Sequence, residues 1–503
     1  MLFSQIVATS VAVGATRSRK VKIESLRALL TELAPDEVEP AVAWLSGELP
    51  QGRLGIGWRT LADLQPSSAG VASMTVSDVD TVLTELAGTS GSGSTARRHE
   101  LLTELFSRTT VDERDFLIRL LTGDLRQGAL EGVMTDAIAA SAGLPVEPVR
   151  RAFMLSGRLP ATAVAALEGG ADALTLFRLE VGRPIRPMLA SPAESLDGAW
   201  TELGGDVTVE YKLDGARIQV HRNGNQVRVF TRTLREITGT VPELVDLVAN
   251  LDCTSTVLDG ETLALNDSGR PRPFQETMSR FGAHSTRDLL LHPYFFDCLH
   301  LDGEDLLDAP LEERLDALER VAPQHRIPGL IRPDTDGAAL HFDDALAAGH
   351  EGVVVKSLTA RYAAGRRGRA WQKVKPEHTL DLVVLGAEWG YGRRTGYLSN
   401  LHLGARDPDG GDPIMVGKTF KGLTDALLAW QTEEFPRHER SRDQHTVYLH
   451  PQLVVEIELD GVQVSSRYPG GVALRFARVL RYRPDKEPAD ADTIDAVRAL
   501  LPG

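Results

Sequence analysis

The sequence predicts a multidomain protein with an all-α N-terminal part, an α+β middle part and an all-β C-terminal part. Three observations predict this order. Leucine stripes at helical spacing fill the N-terminal third, alternating apolar residues between glycine turns begin near residue 207, and a last section is again rich in strands and glycine turns. With 503 residues the chain is long enough for several cores. We place the three parts at residues 1–186, 187–378 and 379–503.

The N-terminal part is predicted to be helical because its apolar residues recur at i, i+3, i+4 and i+7. Residues 1–15 contain no basic residue and are interrupted by polar ones, so we interpret them as a core helix rather than a signal peptide. Residues 88–95 have the composition of a flexible linker. The predicted buried stripes are Leu26, Leu29, Leu30 and Leu33; Leu101, Leu102, Leu105 and Phe106; and Phe116, Leu117, Leu120 and Leu121.

In the middle part the apolar residues recur with a period of two, which is typical of strands. Two prolines within residues 182–189 interrupt helical character, and apolar residues then alternate over 207–211, 218–220 and 227–229. Because Gly or Asn turns separate these runs, the pattern predicts antiparallel hairpins. Strands and helices then mix as far as residue 376.

Composition narrows the class of protein. Only two cysteines occur, which excludes a disulfide framework and every four-cysteine zinc site and is typical of a reducing compartment. No run of about 18 apolar residues occurs, so no membrane span is expected. The net charge of −15 argues against nucleic-acid binding. However, residues 365–375 carry five basic residues and no acid, and affinity for a phosphate backbone depends on the local patch.

Lys212 is the residue that points most directly to chemistry. The chain has nine lysines among 55 basic residues, and this one follows an apolar strand and precedes Asp214, Gly215 and Arg217. Arginine stays protonated in proteins, whereas a lysine amine can become a nucleophile. An amine at the end of a strand, beside a carboxylate and a guanidinium, suits covalent chemistry on a substrate that carries phosphate.

Further charged and aromatic residues follow in an order that a nucleotide site needs. A basic residue ends a strand, a carboxylate follows a predicted Asp259–Gly260 turn, and aromatic residues that can stack on a base close another strand. A second carboxylate and two lysines on one strand face complete the series. These residues are Arg232, Glu261, Phe296, Glu351, Lys373 and Lys375.

Residues 210–217 resemble the nucleotidyl-acceptor motif of DNA ligases and mRNA capping enzymes, and the whole ordered series resembles that of the ATP-dependent DNA ligases. The stretches 16–20 and 121–130 are similar to signatures of the helical DNA-binding domain in the larger members of that family. Residues 474–478 and 483–486 are similar to the family's last motif. The resemblance implies a DNA-binding domain over 1–186, an adenylation (nucleotidyltransferase) domain over 187–378 and an OB-fold domain over 379–503.

The resemblance also implies a role for each matching residue. Lys212 would attack the α-phosphate of ATP and carry AMP to a nick, with Mg²⁺ bound by carboxylates. The implied contacts are Glu210 and Phe296 to adenine, Arg232 and Glu261 to ribose, Arg217, Arg367 and Lys373 to phosphates, Glu261 and Glu351 to Mg²⁺, and Arg475 and Arg478 to pyrophosphate.

The partners that this resemblance implies are ATP and nicked double-stranded DNA, with no zinc and no membrane. A monomer in the cytoplasm, associated with the nucleoid, is expected. Two alternatives stay open. One is an RNA ligase or capping-type nucleotidyltransferase, and the other is a catalytically inactive protein that binds nicks.

Overall fold

The computed structural model describes residues 1–52, 54–57, 60–61, 64, 68–125, 130–272, 274–281, 290–364, 368–391 and 394–501. The chain divides into two compact units. Unit 1 comprises Met1–Pro192, Trp200–Pro333 and Val355–Gln372. Unit 2 comprises Ala193–Ala199, Asp334–Val354 and Lys373–Gly503.

The N-terminal part of unit 1 is helical, as the leucine stripes predict. Thr110 caps one helix by accepting from the backbone N–H of Glu113, and Gly123, at φ 71°, ends the same helix. The predicted stripe residues of that helix pack inward, where the Phe116 ring lies edge-on to Phe3 at 5.7 Å. The helices are α1 Phe3–Ala15, α2 Arg19–Leu30, α3 Pro35–Leu45, α4 Val76–Gly88, α5 Ser94–Arg108, α6 Val111–Thr122, α7 Leu130–Ala142, α8 Val146–Ser156 and α9 Leu159–Leu174.

The middle part contains two five-stranded sheets, in the orders β4-β3-β5-β6-β7 and β1-β10-β9-β2-β8. Their strands are β1 Ser191–Pro192, β2 Val207–Tyr211, β3 Ala216–Asn223, β4 Gln226–Thr231, β5 Ser255–Ala264, β6 Leu291–Leu301, β7 Glu304–Asp305, β8 Gly329–Ile331, β9 Val353–Ser357 and β10 Trp371–Val374. The helices among them are α10 Leu196–Leu203, α11 Pro242–Ala249, α12 Phe274–Arg280, α13 Leu311–Val321 and α14 Thr335–Ala347.

The predicted hairpin between β3 and β4 is confirmed, because Asn223 pairs with Gln226 across a two-residue turn. The predicted hairpin between β2 and β3 is wrong. These two strands belong to different sheets, so residues 212–215 carry the chain from one sheet to the other. Gly215 is needed there for space, since a Cβ at this position would lie 2.5 Å from the carbonyl oxygen of Thr262.

The predicted turn at Asp259–Gly260 is also wrong. Both residues lie inside β5, where Asp259 pairs with Gln219 of β3. Gly260 is required because β6 passes close to it: a Cβ would lie 2.7 Å from the carbonyl oxygen of Tyr294. An Asp-Gly pair looks the same in sequence whether the glycine serves a turn or a close approach between strands.

The C-terminal part, in unit 2, is rich in strands, as predicted. A seven-stranded sheet has β11 as its central strand, paired with β12, β15 and β16. The strands are β11 His378–Trp389, β12 Leu398–Ala405, β13 Ile414–Thr419, β14 Glu439–Arg442, β15 Thr446–Leu449, β16 Val454–Leu459, β17 Gly461–Val464, β18 Val472–Arg475 and β19 Arg478–Tyr482, with helices α15 Asp425–Glu434 and α16 Ile494–Arg498. Among the described residues, no helix has the length and apolar character that a membrane crossing needs.

The described residues form three separate hydrophobic cores. One extends from Phe3 to Leu174, the second from Ala216 to Leu358, and the third from Leu380 to Val497. Each core lies inside one of the three predicted segments. The boundaries at 186 and 378 themselves stay predictions.

Candidate active site

Lys212 follows directly on β2, and Glu210 lies two residues earlier in that strand. Lys212 lies just beyond the last strand residue, Tyr211, and is partly exposed. Glu210 is only 1% exposed. The end of β2 therefore presents an amine and a buried carboxylate together.

Glu210 is paired with Lys356 of β9, a residue that was not among the predicted site residues. The Lys356 Nζ lies 2.5 Å from the Glu210 Oε2 atom, and both side chains are buried. Burial raises the pKa of Glu210, and the charge and hydrogen bond of Lys356 oppose this effect in part. The Lys356 ammonium also lies 4.3 Å from the centroids of both the Phe296 and Trp371 rings, within the range of cation–π attraction.

Phe296 owes its direction to a β-bulge. In the pairing of β5 with β6, Asp259 lies opposite Asp297 and Gly260 lies opposite Phe295, so Phe296 is the extra residue of the bulge. Bulges change the direction of a side chain and are frequent beside active sites. The Phe296 ring meets the Trp371 ring edge-on at 5.9 Å.

Arg217 of β3 is held in one orientation by a closed set of hydrogen bonds. Its Nε and Nη2 donate to the two carboxylate oxygens of Asp259 at 3.0 and 2.6 Å, and its Nη1 donates to the Met188 carbonyl oxygen at 2.7 Å. The Tyr362 hydroxyl donates to Asp259 Oδ2 at 2.6 Å and accepts from the backbone N–H of Met188 at 3.0 Å. Four segments of the chain thus fix one guanidinium, whose Cζ lies 5.2 Å from the Phe296 ring centroid.

Burial and neighbouring charges together shift the pKa values of Arg217 and of the titratable groups around it. Burial lowers the pKa of Arg217, but the Asp259 carboxylate more than compensates and raises it. Burial and the charge of Asp259 raise the pKa of Tyr362, so its hydroxyl keeps the proton that it donates. Burial also raises the pKa of Glu261 to about 7, although Arg217 and Lys212 favour the charged form.

Glu261, Arg217 and Arg232 lie at the same end of one sheet. Arg217 pairs directly with Glu261 in the register of β3 and β5, so their side chains share a face. Arg232 is exposed and follows Thr231, which pairs with Ile218. Six predicted residues therefore belong to unit 1: Glu210, Lys212, Arg217, Arg232, Glu261 and Phe296.

Other predicted residues belong to unit 2. Glu351 lies 2.9 Å from the Lys375 ammonium and 3.5 Å from the Arg475 guanidinium. Lys373 lies in β10, and Arg478 begins β19. The predicted phosphate contact Arg367 lies outside the described residues.

Sequence reasoning gave no role in this site to Asp259, Lys356 and Trp371, although they lie in the predicted motif series, and it did not single out Tyr362. The scarcity of lysine is a usable signal for Lys356. A lysine that directly follows three valines in a chain with nine lysines is a candidate for a buried or functional position. Asp259 was visible only as part of a supposed turn. Tyr362 carried no signal, because its partner Asp259 lies 103 residues away along the chain.

A lysine amine with a carboxylate in its surroundings, in a domain that also holds a fixed guanidinium and a buried aromatic ring, suits covalent transfer of a nucleotide. Comparison with known protein families agrees. Residues 187–375 match the model described as ATP dependent DNA ligase domain, residues 65–139 the DNA ligase N terminus, and residues 394–486 the ATP dependent DNA ligase C terminal region.

Relatives that match over the whole chain identify the family to which it belongs. The chain is 84% identical over 503 residues to a "Probable DNA ligase" of Rhodococcus jostii (strain RHA1), with 100% of both chains covered. It is 54% identical over 513 residues to "DNA ligase B" of Mycobacterium tuberculosis (strain CDC 1551 / Oshkosh), covering 99% of this chain and 100% of that one. The chain therefore belongs to the ATP-dependent DNA ligase family and is an enzyme of that class.

A solved structure described as Pmar-Lig_Pre shows the same fold over 95% of this chain and 99% of its own. Its TM-score is 0.62 at 17% identity. At that identity the likeness concerns the fold alone. It agrees with a ligase architecture that has a helical N-terminal region and a strand-rich C-terminal region.

Proposed function

We propose that this ligase seals nicks between a 5′-phosphate and a 3′-hydroxyl in duplex DNA through a lysyl-AMP intermediate on Lys212, in replication, repair or recombination. The observation that carries this proposal is the position of Lys212. It is the lysine at the end of β2, with the carboxylate of Glu261 and the guanidinium of Arg217 in its electrostatic surroundings.

The reaction has three steps. The neutral Lys212 amine attacks the α-phosphorus of ATP, a P–N bond forms, and the bond to pyrophosphate breaks. AMP then passes to the 5′-phosphate of the nick, which frees the lysine. The 3′-hydroxyl attacks that phosphate, a phosphodiester forms, and AMP leaves.

The adenine would lie near Glu210 and Phe296, since the first offers a buried acceptor and the second an aromatic surface. Arg232 and Glu261 would hold the ribose. Arg217 would contact phosphate, because its fixed guanidinium is prepared to stabilise charge as the phosphoryl group transfers. Arg367 and Lys373 are proposed as further phosphate contacts, and Arg475 and Arg478 as the residues that orient the leaving pyrophosphate.

We propose Mg²⁺ as the metal, held by Glu261 and Glu351. Mg²⁺ is usually bound by one or two carboxylates together with phosphate oxygens and water. Glu261 fits this role, because burial and the carboxylates of Asp259 and Asp214 oppose its ionisation and a divalent cation would favour the ionised form. Bound Mg²⁺ would offset charge on the phosphates. Among the described residues no group of three or more His, Cys, Asp or Glu side chains is arranged as a metal site.

The finer domain assignment belongs to the same proposal. Residues 1–186 would bind DNA, residues 187–378 would carry out adenylation, and residues 379–503 would form an OB-fold that contacts the DNA backbone. Contacts to phosphate release counterions, so binding to nicked DNA should weaken steeply with salt. The partners would be ATP and nicked duplex DNA, with no membrane and no zinc. The enzyme would act as a monomer in the cytoplasm, at the nucleoid.

The test is incubation with α-labelled ATP and Mg²⁺, followed by denaturing electrophoresis. We expect a labelled band that Lys212→Ala abolishes and that the control Lys22→Ala, on helix α2, retains. Label from GTP in place of ATP would favour the capping-type alternative. No label from either nucleotide would refute the proposal and favour an inactive nick-binding protein.

A further inference from the structure

The pair formed by Glu210 and Lys356 has a chemical consequence for the choice of nucleotide. Glu210 Oε2 meets the Lys356 ammonium at 2.5 Å, while its Oε1 is buried without a hydrogen-bond partner in the part of the chain that the structure describes. A buried acceptor left without a donor is costly unless a ligand supplies one. Glu210 is therefore prepared to accept a hydrogen bond from a bound ligand.

Lys356 is anchored from several directions. It is 2% exposed, lies between the Phe296 and Trp371 rings at 4.3 Å from each centroid, and donates to the Phe296 carbonyl oxygen at 3.4 Å. Its ammonium is a donor only and has no lone pair to offer a base. The same lysine thus contacts both the aromatic residue and the carboxylate.

The charge of Glu210 decides what it can recognise. An ionised carboxylate only accepts hydrogen bonds, whereas a protonated one can also donate. The 6-amino group of adenine donates, and the 6-oxo group of guanine or hypoxanthine accepts. Facing the C6 substituent, an ionised Glu210 therefore attracts a 6-amino group and repels a 6-oxo group, while a protonated Glu210 would bind either.

We infer that Lys356 is a specificity-determining residue, which selects a 6-amino purine by keeping Glu210 ionised and its free oxygen directed at the base. This inference rests on the proposed function, because it assumes that Glu210 faces the base of the nucleotide that labels Lys212. It adds to that proposal that Lys356 sets the charge of Glu210, the group that would contact the base. Lys356 acts through Glu210 and is a positioning residue rather than a catalytic one.

The experiment measures the rate of lysyl-nucleotide formation with three triphosphates that differ at C6 of the purine, the 6-oxo base also carrying a proton on N1. ATP carries an amine there, purine riboside triphosphate a hydrogen, and inosine triphosphate a carbonyl. For the wild-type chain we expect ATP to react fastest and inosine triphosphate slowest, with a ratio of roughly 100 or more between them. Purine riboside triphosphate would lose the hydrogen bond from the 6-amino group to Glu210. Inosine triphosphate would lose it too, and its 6-oxo group would also be repelled by the ionised Glu210.

Lys356→Met keeps the length of the side chain and removes its charge. We expect the ratio of ATP to inosine triphosphate to fall roughly tenfold or more, because a charge-assisted acceptor is lost. The matched control is Lys418→Met. It also removes a lysine from a glutamate pair, that with Glu388, but in unit 2, and should leave the ratio unchanged.

An unchanged ratio in Lys356→Met would overturn the inference. If that variant fails to fold, the labelling rates of the wild-type chain test the inference instead. Faster labelling by inosine triphosphate than by purine riboside triphosphate would also overturn it. Failure of the proposed function looks different. In that case no triphosphate would label the wild-type chain at all.

Discussion

Tyr362→Phe removes one hydroxyl group from the hydrogen bonds that orient Arg217, and its effect follows from the two partners of that hydroxyl. Asp259 loses a donor at 2.6 Å, and the buried N–H of Met188 loses its acceptor at 3.0 Å. A hydrogen bond to a charged group contributes about 1.5–3 kcal/mol, and a buried unpaired N–H costs about 1–3 kcal/mol. We therefore expect the free energy of unfolding to fall by about 3 kcal/mol.

The same variant should slow nick sealing. Arg217 keeps its two bonds to Asp259, but that carboxylate loses a partner that fixes it, so the guanidinium becomes less well placed. We expect the single-turnover sealing rate to fall by about tenfold, since small displacements in a fixed site have effects of that order. Stability is measured by denaturant titration, and sealing with a labelled nicked duplex under rapid quench.

Tyr482→Phe is the matched control. It removes a hydroxyl that lies 2.8 Å from the neutral Gln431 Oε1 in unit 2, and should cost about 1 kcal/mol with no change in sealing. If Tyr362→Phe loses no more stability than this control and seals at the wild-type rate, the hydrogen bonds around Asp259 do not orient Arg217.

Three further outcomes are expected. Arg314→Met should cost about 3–5 kcal/mol in denaturant titration because it leaves Asp297 charged in a fully buried pair, and adding Asp297→Leu should recover most of the loss. Gly215→Ala should cost about 1–3 kcal/mol and slow lysyl-AMP formation, because its Cβ would meet a carbonyl oxygen of β5 at 2.5 Å. Burial opposes ionisation of Glu388, but hydrogen bonds, first that from Lys418, lower its pKa to about 2. Its ionised form therefore contributes stability above pH 4.5 that is lost as the pH falls towards 2, and Glu388→Gln should flatten this part of the curve of unfolding free energy against pH.

The sequence was sufficient for the type of most elements. Periods of 3.6 and 2 are set by which side chains must be buried, so the helices before residue 174 and strands β2 to β4 could be predicted from local pattern alone. The pairing of strands could not. Neither β2 nor β3 carries information about its neighbour, and the two belong to different sheets. A glycine after an aspartate predicts a turn, yet Gly260 lies in a strand because β6 passes too close for a side chain.

The residues of the site also fall into a set that could be predicted from the sequence and a set that could not. The motif around Lys212 could be predicted because its residues are neighbours in sequence. The supporting residues could not, because Tyr362 reaches Asp259 and Lys356 reaches Glu210 only after the sheets have formed. Such partners are chosen by burial: a carboxylate that is 1% exposed needs a donor, and the fold supplies one from a distant segment.

One strand face also explains why the helical region and Arg217 lie in one unit. His221 of β3 accepts from the N–H of Gly182 at 3.0 Å, and burial lowers the pKa of this imidazole to about 3, so it stays neutral and able to accept. Gln219, two residues earlier, accepts from the N–H of Ile185 at 2.9 Å and donates to its carbonyl oxygen at 3.3 Å. The segment that follows the helical region therefore runs along β3.

Arg217 continues this series, because residues 217, 219 and 221 are spaced by two and share a face. Its bond to the Met188 carbonyl oxygen is the third attachment of the same segment, at 2.7 Å. The guanidinium proposed to contact phosphate is thus held by the segment that joins the helical region to the sheet. Any displacement of that segment along β3 would break a bond to Arg217, so the placement of the helical region and the orientation of this side chain are mechanically linked.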